Sequence, residues 1–202
     1  NLLLPDSAMR FDWNVKPAGE IGKEVDRLFG KEITLSGKGK LGYGGKAMSS
    51  LKLPELVLNE GSDKLVMTPS TGFVSWKDKA MTFDWKTDRI SFVTEGKSME
   101  IEGINIASDV QNRSRGIGTS QFSIAKFSTN DVTMTGYNFK SLGVERGDRL
   151  DVSLNQKINA LSAANEKISN IVLDFSLNDL DSESIEKLGD IISNASEKFD
   201  NW

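Results

Sequence analysis

Apolar and polar residues alternate along most of the chain, as in its first such run, Met9-Arg-Phe-Asp-Trp-Asn-Val15. A period of two residues places the apolar side chains of a strand on one face and the polar ones on the other. Turn sequences such as Glu95-Gly96 and Gly147-Asp148 separate the runs. The alternation recurs at Met81/Phe83/Trp85, Ile90/Phe92, Met99/Ile101, Val132/Met134, Leu150/Val152/Leu154 and Ile171/Leu173/Phe175/Leu177. The pattern predicts a mainly β protein, built on one long, twisted and curved antiparallel sheet.

Two segments have helical spacing instead. In the first, Ile21, Val25, Leu28 and Phe29 lie on one side of a short helix that ends at Gly30. The second begins at Asp181 or Ser182, either of which can cap a helix N-terminus. Its apolar stripe comprises Ile185, Leu188, Ile191, Ile192, Ala195 and Phe199. We expect this C-terminal amphipathic helix to pack on one face of the sheet, within a single β-rich domain spanning residues 1–202.

One internal similarity is visible. Met9-Arg-Phe-Asp-Trp13 and Met81-Thr-Phe-Asp-Trp85 agree at four of five positions. A duplicated strand unit would explain the match, and so would the general resemblance of amphipathic strands. No change of composition divides the chain, and Ala160 to Asn165 is interpreted as a surface connection.

Composition excludes several classes of chemistry. The 202 residues include no Cys and no His, which rules out a Ser-His-Asp triad, a thiol nucleophile, a zinc finger, and Cys- or His-ligated haem and iron–sulfur centres. The net charge of −4 gives no general attraction to a nucleic-acid backbone. No apolar run approaches the ~20 residues that a membrane-spanning helix needs. We therefore expect no metal, no cofactor, no nucleic-acid partner and no membrane span within this chain.

Two short motifs imitate catalytic sequences. Gly37-Lys-Gly-Lys-Leu-Gly42 has the spacing of a dinucleotide fingerprint, but no helix N-terminus follows it to receive a pyrophosphate. Its glycines are better explained by a kinked strand or a flexible loop. Ser49-Ser-Leu-Lys52 fits the S-x-x-K pattern of acyl-serine enzymes, yet the companion motifs are absent. The sequence therefore identifies no catalytic residues.

Acidic residues allow a third chemistry. Glu100 and Glu102 share one face of a predicted strand, and Asp84/Asp88 and Asp148/Asp151 lie near turns. Two carboxyl groups across a sugar cleft would suit glycan hydrolysis, whereas solvated strand faces are the simpler interpretation. Asp179-x-Asp181-x-Glu183 opens like a calcium loop, but it departs from that motif further on, and helix capping explains it better.

Large apolar side chains supply the remaining candidate site. Phe11, Trp13, Met81, Phe83 and Trp85 alternate cleanly enough to line one apolar face. The face is either ordinary core or a groove for an acyl chain or a partner helix.

The order of the strand segments after about Gly72 resembles a known family. The segments are Phe73–Trp76, Met81–Trp85, Met99–Ile104, Gly116–Ile124, Val132–Thr135, and Ile171–Leu177 leading into Ile185–Leu188. They are similar to those of the YdgA-like family of bacterial envelope proteins, which carry a domain of unknown function. The similarity covers about two thirds of the chain, and residues 1–70 show it less clearly.

The resemblance implies a location rather than an activity. Members of that family are Gram-negative envelope proteins with a membrane-anchoring segment and a long periplasmic body. The chain is then expected to be an internal fragment of a periplasmic protein, anchored to the inner membrane through a segment not present here. Three functions stay open: a non-catalytic binding or scaffold module for another envelope protein, a lipid or acyl-chain carrier, and a carboxylate-based glycan hydrolase.

Overall fold

The computed structural model describes residues 7–164 and 166–187. Ten of its strands run across one open antiparallel sheet in the order β1-β2-β3-β6-β7-β8-β9-β10-β11-β12, and the hairpin β4–β5 joins at β7. The strands are β1 Met9–Val15, β2 Leu35–Leu41, β3 Ala47–Leu53, β4 Leu56–Glu60, β5 Asp63–Met67, β6 Ser70–Lys77, β7 Ala80–Thr94, β8 Lys97–Asn112, β9 Ile117–Thr129, β10 Val132–Arg146, β11 Arg149–Ala163 and β12 Glu166–Asp181. The prediction of a mainly β, antiparallel fold is confirmed.

Strand β7 joins two narrow parts of the sheet to one wide part. Its first half pairs with β6, from Lys77↔Ala80 to Ser70↔Thr87, and its second half pairs with β5. On its other side the full length of β7 pairs with β8. Strands β7 to β12 are each 13 to 16 residues long, whereas β1 to β6 have five to eight.

The predicted first helix is confirmed as α1, Gly19–Phe29, which connects β1 to β2. It ends at Gly30, whose φ of 64° lies in the left-handed region that glycine adopts without a Cβ penalty. The helix contacts β4, and Arg27 pairs with Glu60 at 3.5 Å. The helix therefore lies beside β4, the outer strand of the hairpin β4–β5.

The second predicted helix begins at Ser182. Asp181 is its N-cap, because its carboxylate accepts a hydrogen bond of 2.8 Å from the Ser184 amide. The predicted apolar stripe from Leu188 to Phe199 lies outside the described residues. Most of the predicted packing of this helix on the sheet involves that stripe and therefore lies outside the described residues as well.

One local expectation differs from the structure. Ala160 to Ala163 are not a surface connection but the end of β11, paired with β12 through Ala163↔Glu166. There cross-strand pairing overrides the local propensity of small residues. Of the two alternatives for the glycine-rich segment, a kinked strand or a flexible loop, the structure has a strand, since Gly37 and Gly39 lie inside β2.

The apolar positions change parity at one level of the wide part of the sheet. In β8 they fall on odd residues up to Ile101 and on even residues from Ile104, with Gly103 between them at a φ of 64°. Gly136 in β10 and Asn170 in β12 lie at the same level and also have positive φ, 62° and 57°. We call Gly103, Gly136 and Asn170 the positive-φ row. The pairing registers of these strands are continuous through this level, so that the apolar set changes parity in the strands without a register shift.

The sheet is a single layer. Among the described residues, only Ile33, Ala47 and Leu150 are buried apolar side chains. The accessible surface is 13678 Å², against about 9,400 Å² for a compact monomer of this mass. Large apolar side chains of the sheet, among them Trp76 and Phe175, are exposed and available for contact with another molecule.

Candidate functional site

One face of the sheet carries no charged side chain over a wide area. The pairing registers connect Met9, Phe11, Trp13 and Val15 of β1 strand by strand to Leu177, Phe175, Leu173 and Ile171 of β12. Each of the ten strands on this path contributes four positions, and none is Asp, Glu, Lys or Arg. We call these positions the uncharged face.

The opposite face of the same strands is polar. Its charged residues are Arg10, Asp12, Lys38, Lys40, Lys52, Asp84, Lys86, Asp109, Lys140, Lys157 and Asp174. Such a division is typical of an antiparallel sheet with one face in water and the other against an apolar neighbour.

All five predicted face residues lie on the uncharged face. Phe11 and Trp13 lie on β1, at one end of the face. Met81, Phe83 and Trp85 lie on β7, four strands from β1 in the order of the sheet. Every one of the five is half-buried. The placement follows from the alternation within each strand. The pairing registers that connect β1 to β7 then put the apolar residues of both strands on the same face of the sheet.

Aromatic rings on this face cover glycines of the neighbouring strand. A Cβ on Gly37 would lie 2.6 Å from ring carbons of Trp13, and one on Gly39 would lie 2.4 Å from the Phe11 ring. The same relationship joins Trp85 to Gly72, at 2.7 Å. These rings fill the space above the glycines, so that this part of the face is packed by its own side chains.

The two Met-x-Phe-Asp-Trp segments occupy matching environments. Trp13 donates its indole N–H to Ser49 Oγ at 2.7 Å, and Trp85 donates to Thr87 Oγ1 at 3.1 Å. Each indole thus covers a glycine and reaches a hydroxyl group, which satisfies its one polar atom. The similarity of environment is compatible with either origin of the repeated sequence.

Further along the face, several large side chains are exposed. Trp76 is 41% exposed, and Ile106, Leu173, Phe175 and Leu177 are exposed as well. The Phe122 and Tyr137 rings pack edge to face at 5.8 Å. These exposed apolar side chains lie on an uncharged face that extends across ten strands, a setting typical of an interaction surface.

The positive-φ row bounds the uncharged face. Just beyond it, Arg89, Glu100, Glu102 and Lys126 stand at the positions that would continue the face. Arg89 pairs with Glu100, and Lys126 pairs with Glu102 at 2.8 Å. The charges there neutralise one another in pairs, at the level where the apolar parity changes.

The same pairs bear on the predicted carboxylate site. The ammonium group of Lys126 holds the pKa of Glu102 below its ordinary value, chiefly through their hydrogen bond. A general acid for glycan hydrolysis needs a raised pKa instead. Glu100 and Glu102 therefore form two ion pairs with basic neighbours, and their geometry gives the hydrolase hypothesis no support.

One of the remaining acidic candidates, Asp151, also has structural partners. Asp151 pairs with Arg146 at 3.0 Å and accepts a hydrogen bond from the Asp179 amide at 2.9 Å. Over the described ranges, no group of three or more acidic side chains is arranged to hold a metal ion. In the same ranges, no helix is long and apolar enough to cross a membrane.

The sequence analysis missed an ion cluster at one end of the sheet. Glu186, in the C-terminal helix, pairs with Lys79 and Arg115, each at 2.8 Å. Lys79 lies in the β6–β7 turn and Arg115 in the β8–β9 turn, and Arg115 also pairs with Glu145 of β10 at 2.5 Å. The two cations lower the pKa of Glu186 to about 2. The helix is thereby held across two hairpin turns that are far apart in sequence.

These features define a single-layer antiparallel β domain with one uncharged face. The chain belongs to the DUF945 family of bacterial proteins of unknown function, whose family model matches residues 4–201. The match includes residues 4–70, where the similarity is less clear from the sequence alone. No curated protein and no solved structure matches the chain.

Proposed function

We propose that this domain is a non-catalytic binding or scaffold module of the Gram-negative envelope that holds a partner protein against its uncharged face. The observation that carries the proposal is the extent of that face, which runs across ten strands without a charged residue. A surface of this kind is stabilised by contact with another apolar surface, because burial removes it from water.

Local packing favours a protein partner over an acyl chain. A lipid carrier needs an elongated cavity, with side chains that leave room between them. Here Phe11, Trp13 and Trp85 close onto glycines, which leaves a surface rather than a tunnel. Broad contact with a folded partner suits such a surface, with exposed rings such as Trp76 as the points of attachment.

Placement in the periplasm is part of the proposal. It is supported by the resemblance of the strand segments to envelope proteins and by membership of a bacterial family. The absence of Cys from the sequence is compatible with an oxidising compartment.

The proposal can be tested by site-specific photo-crosslinking. Trp76 and Phe73 both lie on β6, are 41% and 39% exposed, and occupy opposite faces of the sheet. Each would be replaced singly by benzoylphenylalanine in protein exported to the periplasm of a Gram-negative host. We expect a discrete protein adduct from position 76 and none from the matched control at position 73.

The other outcomes would contradict the proposal. An adduct of lipid mass at position 76, removed by organic extraction, would establish the acyl-carrier alternative. Equal adducts at both positions, or none at either, would show that the uncharged face is not the binding surface.

A further inference from the structure

Strand β12 is an open edge with the composition of an inner strand. It is 16 residues long and pairs with β11 on one side, and no described strand pairs with its other side. Its exposed apolar side chains are Ile168, Val172, Leu173, Phe175 and Leu177. Between Ile168 and Asn178 the only charged residue is Asp174. A long apolar edge strand is a ready template for further strand pairing.

The other edges of the sheet are protected in ordinary ways. Helix α1 contacts β4, the outer strand of the β4–β5 hairpin. Strand β1 is only seven residues long and carries Arg10 and Asp12. Short length, charge and a covering helix are the usual means by which proteins prevent edge-to-edge association. Within the part of the chain that the structure describes, strand β12 has none of these protections between Asn170 and Asn178, apart from Asp174.

We propose that β12 is an interface between two copies of this chain, which pair antiparallel about a two-fold axis at Leu173. An axis perpendicular to the sheet keeps the uncharged faces of both copies on the same side. The two copies then form one continuous sheet, and the uncharged face is doubled in width. This interface uses the strand edge and does not depend on the partner protein proposed above.

The register follows from charge and backbone geometry. Asn170 has a φ of 57°, and the pairing with β11 shifts after Leu177, so that Ile171 to Leu177 is the regular part of the edge. An axis at Asp174 would place two carboxylates directly opposite each other, which is unfavourable. An axis at Leu173 instead places Asp174 opposite Val172 of the second copy. On the uncharged face it then sets Leu173 opposite Leu173 and Ile171 opposite Phe175.

The absence of Cys from the chain permits a sharp crosslinking test. In the proposed register only residue 173 opposes itself, with Cβ atoms roughly 5 Å apart. Residues 175 of the two copies are then offset by about 13 Å along the strands. We expect Leu173→Cys to give a covalent dimer on mild oxidation or with a short bismaleimide, and Phe175→Cys to give none. Equal crosslinking of the two variants, or none from Leu173→Cys, would overturn the register.

Sedimentation velocity of the full chain tests the interface itself. We expect the unmodified protein to dimerise and Leu173→Lys to weaken dimerisation by about tenfold or more, since two like charges would face each other. Val15→Lys is the matched control, because Val15 is 60% exposed at the β1 edge and Leu173 is 62% exposed at the β12 edge. A monomeric wild-type protein, or equal weakening by both substitutions, would refute the β12 interface. Neither result would alter the photo-crosslinking outcome at Trp76.

Discussion

The indole ring of Trp13 lies across Gly37 of the neighbouring strand. A Cβ at position 37 would be 2.6 Å from the ring and 2.0 Å from the backbone oxygen of Ser50. Gly37 is therefore required by lack of space. The same explanation applies to Gly39 beneath Phe11, and the G-x-G spacing in β2 matches the two-residue spacing of the rings that cover it.

We expect Gly37→Ala to destabilise the protein by about 1–3 kcal/mol, since the new methyl group overlaps backbone that cannot easily move. The measurement is urea unfolding followed by tryptophan fluorescence. Gly44→Ala is the control, because the nearest atom to its Cβ is the flexible Lys77 Nζ at 4.0 Å. That variant should stay within roughly 0.5 kcal/mol of wild type. Equal effects of the two substitutions would contradict the packing explanation.

Much of the architecture could be predicted from local sequence patterns alone. The strands around Phe11, Phe83 and Phe175, the helix ending at Gly30 and the cap at Asp181 are all local patterns, and the structure contains each of them. The shared face of Phe11 and Phe83 also follows once the strands are known, because side chains alternate strictly.

Other features depend on which strands become neighbours, and a single sequence does not contain that information. The pairing of Glu186 with Lys79 joins residues 107 positions apart. The glycines under Trp13 and Trp85 have their roles only after β1 pairs with β2 and β6 with β7. One signal was available but unused: the apolar alternation changes parity beside Gly103, which indicates a local change in the strand.

The positive-φ row can be tested at Gly103. A Cβ there would lie 2.6 Å from the Cβ of Ala125, and the φ of 64° is unfavourable for alanine, which has a Cβ and no side chain that can hydrogen-bond locally. We expect Gly103→Ala to lower the free energy of unfolding by about 2–4 kcal/mol, as the sum of strain and overlap. Urea unfolding would measure it.

A second substitution separates the two causes. In Gly103→Ala/Ala125→Gly the overlap is removed and the backbone strain is kept, so that a favourable interaction energy of about 1 kcal/mol or more is expected between the two sites. Gly116→Ala has a similar φ of 68° with open space around it. It should show the strain alone, about 1–2 kcal/mol. Strict additivity of the pair would rule out crowding at this position.

Leu150 is the largest fully buried apolar side chain among the described residues. It pairs with Leu180 of β12. Close by in sequence, the backbone carbonyl of Asp148 accepts a hydrogen bond of 3.0 Å from the Ser182 amide. We expect Leu150→Ala to destabilise the protein by about 2–5 kcal/mol, through lost burial and the cavity that remains. Leu154→Ala, at a half-buried position on the same face of the same strand, should have less than half that effect in thermal unfolding. A larger effect at Leu154 would place the stabilising core elsewhere.

The ion cluster around Glu186 predicts a pH dependence. Its pKa is lowered from an ordinary 4.5 to about 2, first by the hydrogen bond from Lys79 and then by that from Arg115. A carboxyl group with a lowered pKa in the folded state stabilises the fold above its unfolded pKa, and this stabilisation is lost as the pH falls toward the folded value. Glu186→Gln should therefore be less stable than wild type at pH 7, and the difference should shrink between pH 4.5 and about pH 2. Urea unfolding at a series of pH values would measure the difference in the free energy of unfolding between the two proteins. The pH-dependent contributions of the carboxyl groups that both proteins share largely cancel in this difference.

Glu183→Gln is the matched control for this measurement. Glu183 lies in the same turn of the helix and pairs within the helix with Lys187 at 2.8 Å, while both side chains are largely exposed. Removing its charge changes the interaction with the helix dipole but no contact with the hairpin turns. We expect its stability difference to be smaller and to vary less with pH than that of Glu186→Gln. If the two variants respond equally, the effect belongs to the helix alone, and Glu186 does not hold it to the sheet.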